Sequence, residues 1–332
     1  MKPRAIRPSP AVLLGVWGVC LVLVLWAEAW KARLRRATPL NVDGAARVER
    51  AGGKMLRFAV IGDSGAGSAR FQRMLGRIRE AGPDFVAHVG DIAYRSPWDL
   101  YFFRWLVRAG PPVLVAPGDH DSDDAARRAL FERLMGPRTF HLDLPAARLV
   151  FVDTAEDRLP PGTAAALARR IDEAPGRRIV VFLHVPPIDP GGGTHCLRPG
   201  PELNELRGVL RSRRDRIAAL FAGHVHAAWR TEVEGVPLWV TGGGGKDVEP
   251  GHPFHFLSVA LPETGPIQVG QVNDPESLGL GARAREARYR AVLFWLRFGW
   301  VVLAAVAAWG VWSLWPPGRR PGYTAARTRL QG

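Results

Sequence analysis

Seven short apolar runs restrict what this chain can become: Leu56–Ile61, Phe85–Val89, Pro112–Val115, Leu149–Val152, Ile179–Leu183, Ile217–Phe221 and Leu238–Val240. They alternate with helical patterns that include Ala69–Ala81, Asp124–Met135, Thr163–Ala174 and Pro201–Arg213. Near-continuous apolar runs of this length suit strands buried on both faces. Their alternation with helices predicts an α/β domain whose sheet faces are covered by helices.

The residues just after each run carry more information than the run itself. Leu56–Ile61 ends in Gly62-Asp63-Ser64-Gly65, and Phe85–Val89 in Gly90-Asp91-Ile92-Ala93-Tyr94. Pro112–Val115 leads to Pro117-Gly118-Asp119-His120-Asp121, Ile179–Leu183 to His184, and Ile217–Phe221 to Gly223-His224-Val225-His226. Ligands of open α/β sheets gather beyond the carboxyl ends of the strands. Each motif alone is bland, since a Gly-Asp after a strand is usually a turn and a lone histidine usually structural. Five strand ends that deliver carboxylates, imidazoles and a phenol to one edge suit metal ions better than a nucleophilic triad. Seven donors exceed what one ion takes, and a carboxylate such as Asp91 can bridge a pair.

Outside this segment the composition changes. Residues 55–270 carry 26 Lys+Arg against 25 Asp+Glu, whereas the flanks carry 19 against 6. The net charge of +14 therefore belongs to the flanks, which argues against a nucleic-acid groove on the central domain. Each flank holds an uncharged apolar run, Ala11–Ala27 and Phe298–Trp315, bounded by arginines and rich in tryptophan. Both runs lie near the short end of a membrane span. The expected division is a basic N-terminus (1–10), an anchor or signal peptide (11–30), a polar connector (31–54), the domain (55–270), a second connector (271–290), a transmembrane helix (291–315) and a basic tail (316–332). Ala27-Glu28-Ala29 has the form of a signal-peptidase site, while the positive charge behind it favours an uncleaved anchor. Two spans leave both termini on one side of the bilayer and the domain on the other, with the extracytoplasmic side preferred. Cys20 and Cys196 offer no disulfide within the domain.

The ordered set Gly-Asp-x-Gly, Gly-Asp-x-x-Tyr, Gly-Asp-His-Asp, Val-x-x-His and Gly-His-x-His resembles the calcineurin-like metallophosphoesterases over roughly residues 55–250. Within that superfamily it looks most like the purple, tartrate-resistant type of acid phosphatase. Most members carry histidine where Gly65 stands, and the purple branch supplies a tyrosinate at the spacing of Tyr94. Thr194-His195-Cys196-Leu197 resembles the substrate-side histidine segment of the small purple enzymes. The resemblance implies a sandwich of two β-sheets flanked by helices. It implies that Asp63, Tyr94 and His226 hold Fe(III), that Asp91 bridges, and that Asp119, His184 and His224 hold a divalent Fe, Zn or Mn. His120 and His195 would contact the phosphate and the leaving group, one of them as general acid. The implied reaction is hydrolysis of a phosphomonoester by a metal-bound hydroxide. One departure stands out: the family's third motif has asparagine where this chain has Asp119, which adds a negative charge to the donor set.

Other readings carry less. Ser64 as a nucleophile leaves Asp91 and the Gly-His-Val-His pair unexplained. Gly62, Gly65 and Gly67 do not match a dinucleotide-binding fingerprint. Gly242–Gly245 reads as a loop packed near the site, and His88 as a core histidine. Asp121, Asp123 and Asp124 read as starting the next helix. Two further functions remain open: a phosphodiesterase or a phosphatase of lipid or cell-envelope head groups, and a weakly active membrane scaffold, which rests on Asp119 alone. The partners expected are a phosphate ester and a lipid bilayer, with no nucleic acid.

Overall fold

The computed structural model describes residues 9–94, 96–274 and 279–314. Along the chain these form helix α1 (Pro10–Arg36), α2 (Leu40–Ala51), strand β1 (Met55–Ile61), α3 (Ala69–Ala81), β2 (Phe85–His88), α4 (Trp98–Val107), β3 (Val113–Val115) and α5 (Ala125–Leu134). Next come β4 (Phe140–Asp143), β5 (Arg148–Phe151), α6 (Thr163–Asp172), β6 (Ile179–Phe182), α7 (Pro201–Ser212) and β7 (Ile217–Ala222). The last elements are β8 (Ala228–Val233), β9 (Val236–Thr241), β10 (His255–Pro262), β11 (Gln268–Asn273) and α8 (Leu280–Leu314). Two compact units result: residues 34–289, and a smaller one from the chain up to Arg33 and from Arg290 onward.

The larger unit is a two-sheet sandwich. One sheet has the order β11-β10-β1-β2-β3 and the other β4-β5-β6-β7-β9-β8. The parallel pairs β1–β2–β3 and β5–β6–β7–β9 carry the expected apolar runs. Period-two alternation decides which face each side chain takes. In β6, Val180 and Phe182 point into the core between the sheets, and Ile179 and Val181 face the layer that includes α6 and α7. Phenylalanines bind the sheets together. Phe58 of β1 meets Phe182 of β6 at 5.9 Å and Phe221 of β7 at 6.0 Å, edge to face. Helix α3 begins at Ser68, whose hydroxyl accepts from Phe71 N, and it ends at Gly82 in the left-handed region.

Two expectations are corrected. The polar connector expected over residues 31–54 is largely helical, because α1 runs to Arg36 and α2 occupies Leu40–Ala51. The buried face of α2 is Asn41, Gly44 and Val48, of which only Val48 is a large apolar residue. Asn41 completes the edge of β3: its Nδ2 donates to Val115 O at 3.0 Å and its Oδ1 accepts from Val115 N at 2.7 Å. A Cβ at Gly44 would lie 2.7 Å from Val113 O, so the helix closes on the strand only because that residue is glycine. The second connector is also shorter than expected, since β11 reaches Asn273 and α8 starts at Leu280. The tail 316–332 lies outside the described residues.

The smaller unit contains the apolar parts of α1 and α8, both long and apolar enough to cross a membrane. Cys20 and Val24 of α1 pack against Leu303 of α8, and Trp300 Nε1 donates to Glu28 Oε1 at 3.2 Å. Most of the surface of these helices is apolar and uncovered, including Leu14, Val22, Trp26, Trp300, Val301 and Trp312. Apolar area of this extent is costly to leave in water.

Candidate metal centre

Glycine-bearing turns at the strand ends create the site by letting backbone segments approach. Gly90, after β2, has φ 97°, and a Cβ there would meet His184 Nδ1 at 2.5 Å. A Cβ at Gly118 would meet Asp91 Oδ1 at 2.1 Å. A side chain at either position would push the motifs apart, which is the physical reason for glycine before each aspartate. Two of the aspartates and one histidine take left-handed backbone. Among the described residues only four non-glycine residues have positive φ, and three of them are Asp63 (55°), Asp91 (62°) and His224 (68°). Such conformations persist where the surroundings over-determine them, commonly at functional sites.

All seven expected donors come together. Asp63 Oδ1 accepts from Tyr94 Oη at 3.0 Å and lies 3.3 Å from His226 Nε2; Tyr94 Oη and His226 Nε2 are 3.0 Å apart. Asp119 Oδ1 lies 2.9 Å from His184 Nε2 and 3.2 Å from His224 Nδ1. Asp91 Oδ1 is 3.4 Å from His184 Nε2, so it stands beside the second group. Asp63, Asp91 and His184 offer ligand atoms within 4.8 Å of one another, as do Asp119, His184 and His224, and as do Asp91, Asp119 and His120. His184 Nδ1 donates to Val89 O at 2.7 Å, which orients the ring so that Nε2 faces the carboxylates.

The electrostatics call for cations. Asp63, Asp91 and His184 are buried, and among the described residues no lysine or arginine pairs with Asp63, Asp91 or Asp119. Burial pushes Asp91 up to about 6; Asp63 and Asp119 add to the shift and His184 opposes it. Burial also pushes the Tyr94 phenol far up, helped by Asp63 and Asp91. Burial works against Asp119 too, but hydrogen bonds from His184 and His224 hold its carboxyl well below the usual range. Three carboxylates this close repel one another unless cations lie between them. The oxygen and imidazole donors fit first-row transition metals, and their two groups fit a pair of ions.

A cavity of about 330 Å³ opens over the donors, lined by Asp91, Asp119, His120, His195, His224, His226 and residues 247–249. His120 is tied by its backbone N–H to Asp91 Oδ1 at 3.1 Å, and its ring lies 4.5 Å from that of Tyr94. His195 comes 5.9 Å from the His224 ring, so both expected substrate-side histidines reach the cavity. At Gly65, with φ 53°, a Cβ would lie 3.8 Å from Tyr94 Cδ2, an ordinary contact, so the tyrosine ring packs beside this position.

One expectation about this region is corrected. Asp121 does not start α5; Asp124 does, accepting from Arg127 N. Asp121 is fully buried and accepts from four backbone amides: Asp91 N (2.9 Å), Ile92 N (2.9 Å), Ala93 N (2.8 Å) and Gly118 N (3.0 Å). It thus pins the turn that carries Asp91 to the turn that carries Asp119. The strap 246–249 was not expected at the cavity, since nothing in its composition sets it apart.

Ser64 is excluded as a nucleophile. It is buried, and His88 Nε2 lies 2.9 Å from its Oγ. His88 Nδ1 accepts from Gly90 N, so Nε2 carries the proton and donates to the serine instead of activating it. Burial drives His88 down to about 3. The unfolded chain takes up this proton near pH 6.5 and the folded chain does not, so acid favours unfolding. Between pH 6 and 4 this one group removes about 2–3 kcal/mol of stability. In chemical denaturation, His88→Gln loses that much less stability over the same interval than the parent; equal losses would exclude His88 as the cause.

Comparison with known proteins identifies the family. A family model described as calcineurin-like phosphoesterase matches residues 56–228. A Fibrobacter succinogenes protein named "Probable cyclic nucleotide phosphodiesterase" is 24% identical over 194 residues, covering 57% of this chain and 75% of its own. An Arcobacter nitrofigilis protein named "Probable glycerophosphodiester phosphodiesterase GpdQ" is 24% identical over 155 residues, 43% of this chain and 57% of its own. Among solved structures, a dimetal phosphatase from Danio rerio superposes with a TM-score of 0.51 at 14% identity, covering 64% of this chain and 98% of that one. GAP50, the anchor in the inner membrane complex of Plasmodium, gives 0.51 at 14% identity, covering 68% and 87%.

Proposed function

Since this chain belongs to the calcineurin-like phosphoesterase family and is a metal-dependent phosphoesterase, we propose that it hydrolyses phosphomonoesters at a dinuclear centre of the purple acid phosphatase type. The observation that carries this reading is Tyr94 Oη at 3.0 Å from both Asp63 Oδ1 and His226 Nε2. Asp63, Tyr94 and His226 would hold an Fe(III), Asp119, His184 and His224 a divalent Fe, Zn or Mn, and Asp91 would serve both. Bound there, two such ions would supply charge neutralisation for the phosphoryl oxygens and acidification of a water. The protein's own part is orientation and proton delivery. Asp121 fixes the two turns, and His120 and His195 line the cavity where a leaving oxygen takes up a proton. The two apolar helices anchor the catalytic unit at a bilayer, on its extracytoplasmic side.

Metal analysis and a substrate pair test this. The purified chain in detergent binds about two metals, shows a visible tyrosinate–Fe(III) band, and cleaves p-nitrophenyl phosphate faster than its bis-ester. A colourless protein with one metal would overturn the purple assignment. Faster cleavage of the bis-ester would favour the second reading, a phosphodiesterase, which the names of both sequence relatives support. Asp119→Asn restores the family residue and removes one negative charge beside His184 and His224. Its kcat equals or exceeds that of the parent, because the metal at that position becomes more electrophilic. Complete loss of turnover would mean a different metal scheme.

A further inference from the structure

The cavity over the donors has one wall that hydrolysis alone leaves unused. Residues 246–249 form a strap whose ends are hydrogen-bonded to the metal-donor residues themselves: Lys246 N donates to Asp63 O at 2.9 Å, and Glu249 N to His226 O at 2.8 Å. The strap therefore keeps a fixed distance from the centre. Asp247, Val248 and Glu249 line the cavity. The carboxylates of Asp247 and Glu249 have no ion-pair or hydrogen-bond partner among the described residues. The strap's one cation, Lys246, does not line the cavity: its Nζ lies 4.8 Å from the centre of the Tyr94 ring. The charge that this wall offers a substrate is thus negative, whereas the centre binds an anion.

We propose that Asp247 and Glu249 are specificity residues that select phosphoesters of ammonium-bearing alcohols. The phosphoryl group lies on the metal donors and the substrate's ammonium meets the strap. A dipolar substrate satisfies both walls, whereas an ester with a second anionic group meets repulsion at the strap. The proposal rests on the monoesterase reading above. The same chemistry occurs in free amino-alcohol phosphates and in amine-bearing lipid phosphates.

Matched substrates decide it, using the full chain in detergent with its metals. Phosphocholine is paired with 3,3-dimethylbutyl phosphate, its neutral carbon isostere; sphingosine 1-phosphate is paired with lysophosphatidic acid, which lacks the ammonium. The ammonium ester is preferred in kcat/KM by about fivefold, the scale of a partly exposed charge contact. A double variant, Asp247→Asn with Glu249→Gln, brings the ratio to within about twofold by removing that contact. The pair that shows the preference identifies the source, soluble or lipid-borne. A general structural role for the strap would lower all rates together and leave the ratios unchanged, which would overturn the proposal. Cleavage of p-nitrophenyl phosphate without preference in either pair would overturn it while leaving the monoesterase reading intact. No cleavage of any ester would overturn that reading first.

Discussion

Asp91→Asn reduces turnover by about three orders of magnitude and lowers the metal content from about two ions to one or fewer. Asp91 shares one donor group with Asp63 and His184 and another with Asp119 and His120, so it links the Asp63 side of the site to the Asp119 side. Its loss weakens both positions, whereas the loss of an outlying donor weakens one. Asparagine is the informative replacement because position 91 has φ 62°, a conformation asparagine tolerates and alanine does not. The variant therefore keeps the turn and the side-chain shape and removes only the charge. Steady-state kinetics and elemental analysis on the same preparation read out both effects. Turnover above about a tenth of the parent value would exclude a shared carboxylate, since one lost electrostatic donor commonly costs more.

Asp121→Ala has the second large effect, and it acts on stability and metal retention together. Four buried amides lose their acceptor at once. Each buried N–H left without a partner costs about 1–3 kcal/mol, and water entering the gap recovers part of it. The net loss is about 3–5 kcal/mol. Asp121→Asn keeps one acceptor oxygen but turns an NH₂ toward N–H donors, so it lies between the parent and alanine. Because the amides belong to residues 91–93 and 118, metal affinity falls in the same order. Denaturant unfolding and metal titration of the three proteins measure this. Equal stability of the alanine variant and the parent would show that the turns hold without Asp121.

The features legible in the sequence are those set by local physics. The apolar runs became β1, β2, β3, β5, β6, β7 and β9 because a strand buried on both faces needs continuous apolar residues wherever it sits. The strands with weaker patterns, β4, β8 and β11, are sheet edges where solvent takes one face. Helix α2 was invisible because asparagine and glycine make up most of its buried face, and they are buried there for a hydrogen bond and a close approach, not for hydrophobicity. Asp121 was misread for a related reason. A helix start and a backbone clamp use the same residue type, and only the fold brings the amides of residues 91–93 to it.

The sequence by itself determined the class of strand-end chemistry. Glycine followed by a donor, repeated along the strand ends, needs only the rule that parallel strands present their carboxyl ends to one edge. Tertiary structure decided which donors meet, since Tyr94 reaches Asp63 and His226 across separations of 31 and 132 residues. It also decided that Asp247 and Glu249 face the cavity, because the strap's position depends on hydrogen bonds to Asp63 and His226 and not on its own composition. Local sequence specifies strands, helices and the small residues that permit close approach. Partner choice across the sheet edge depends on the packing of two sheets.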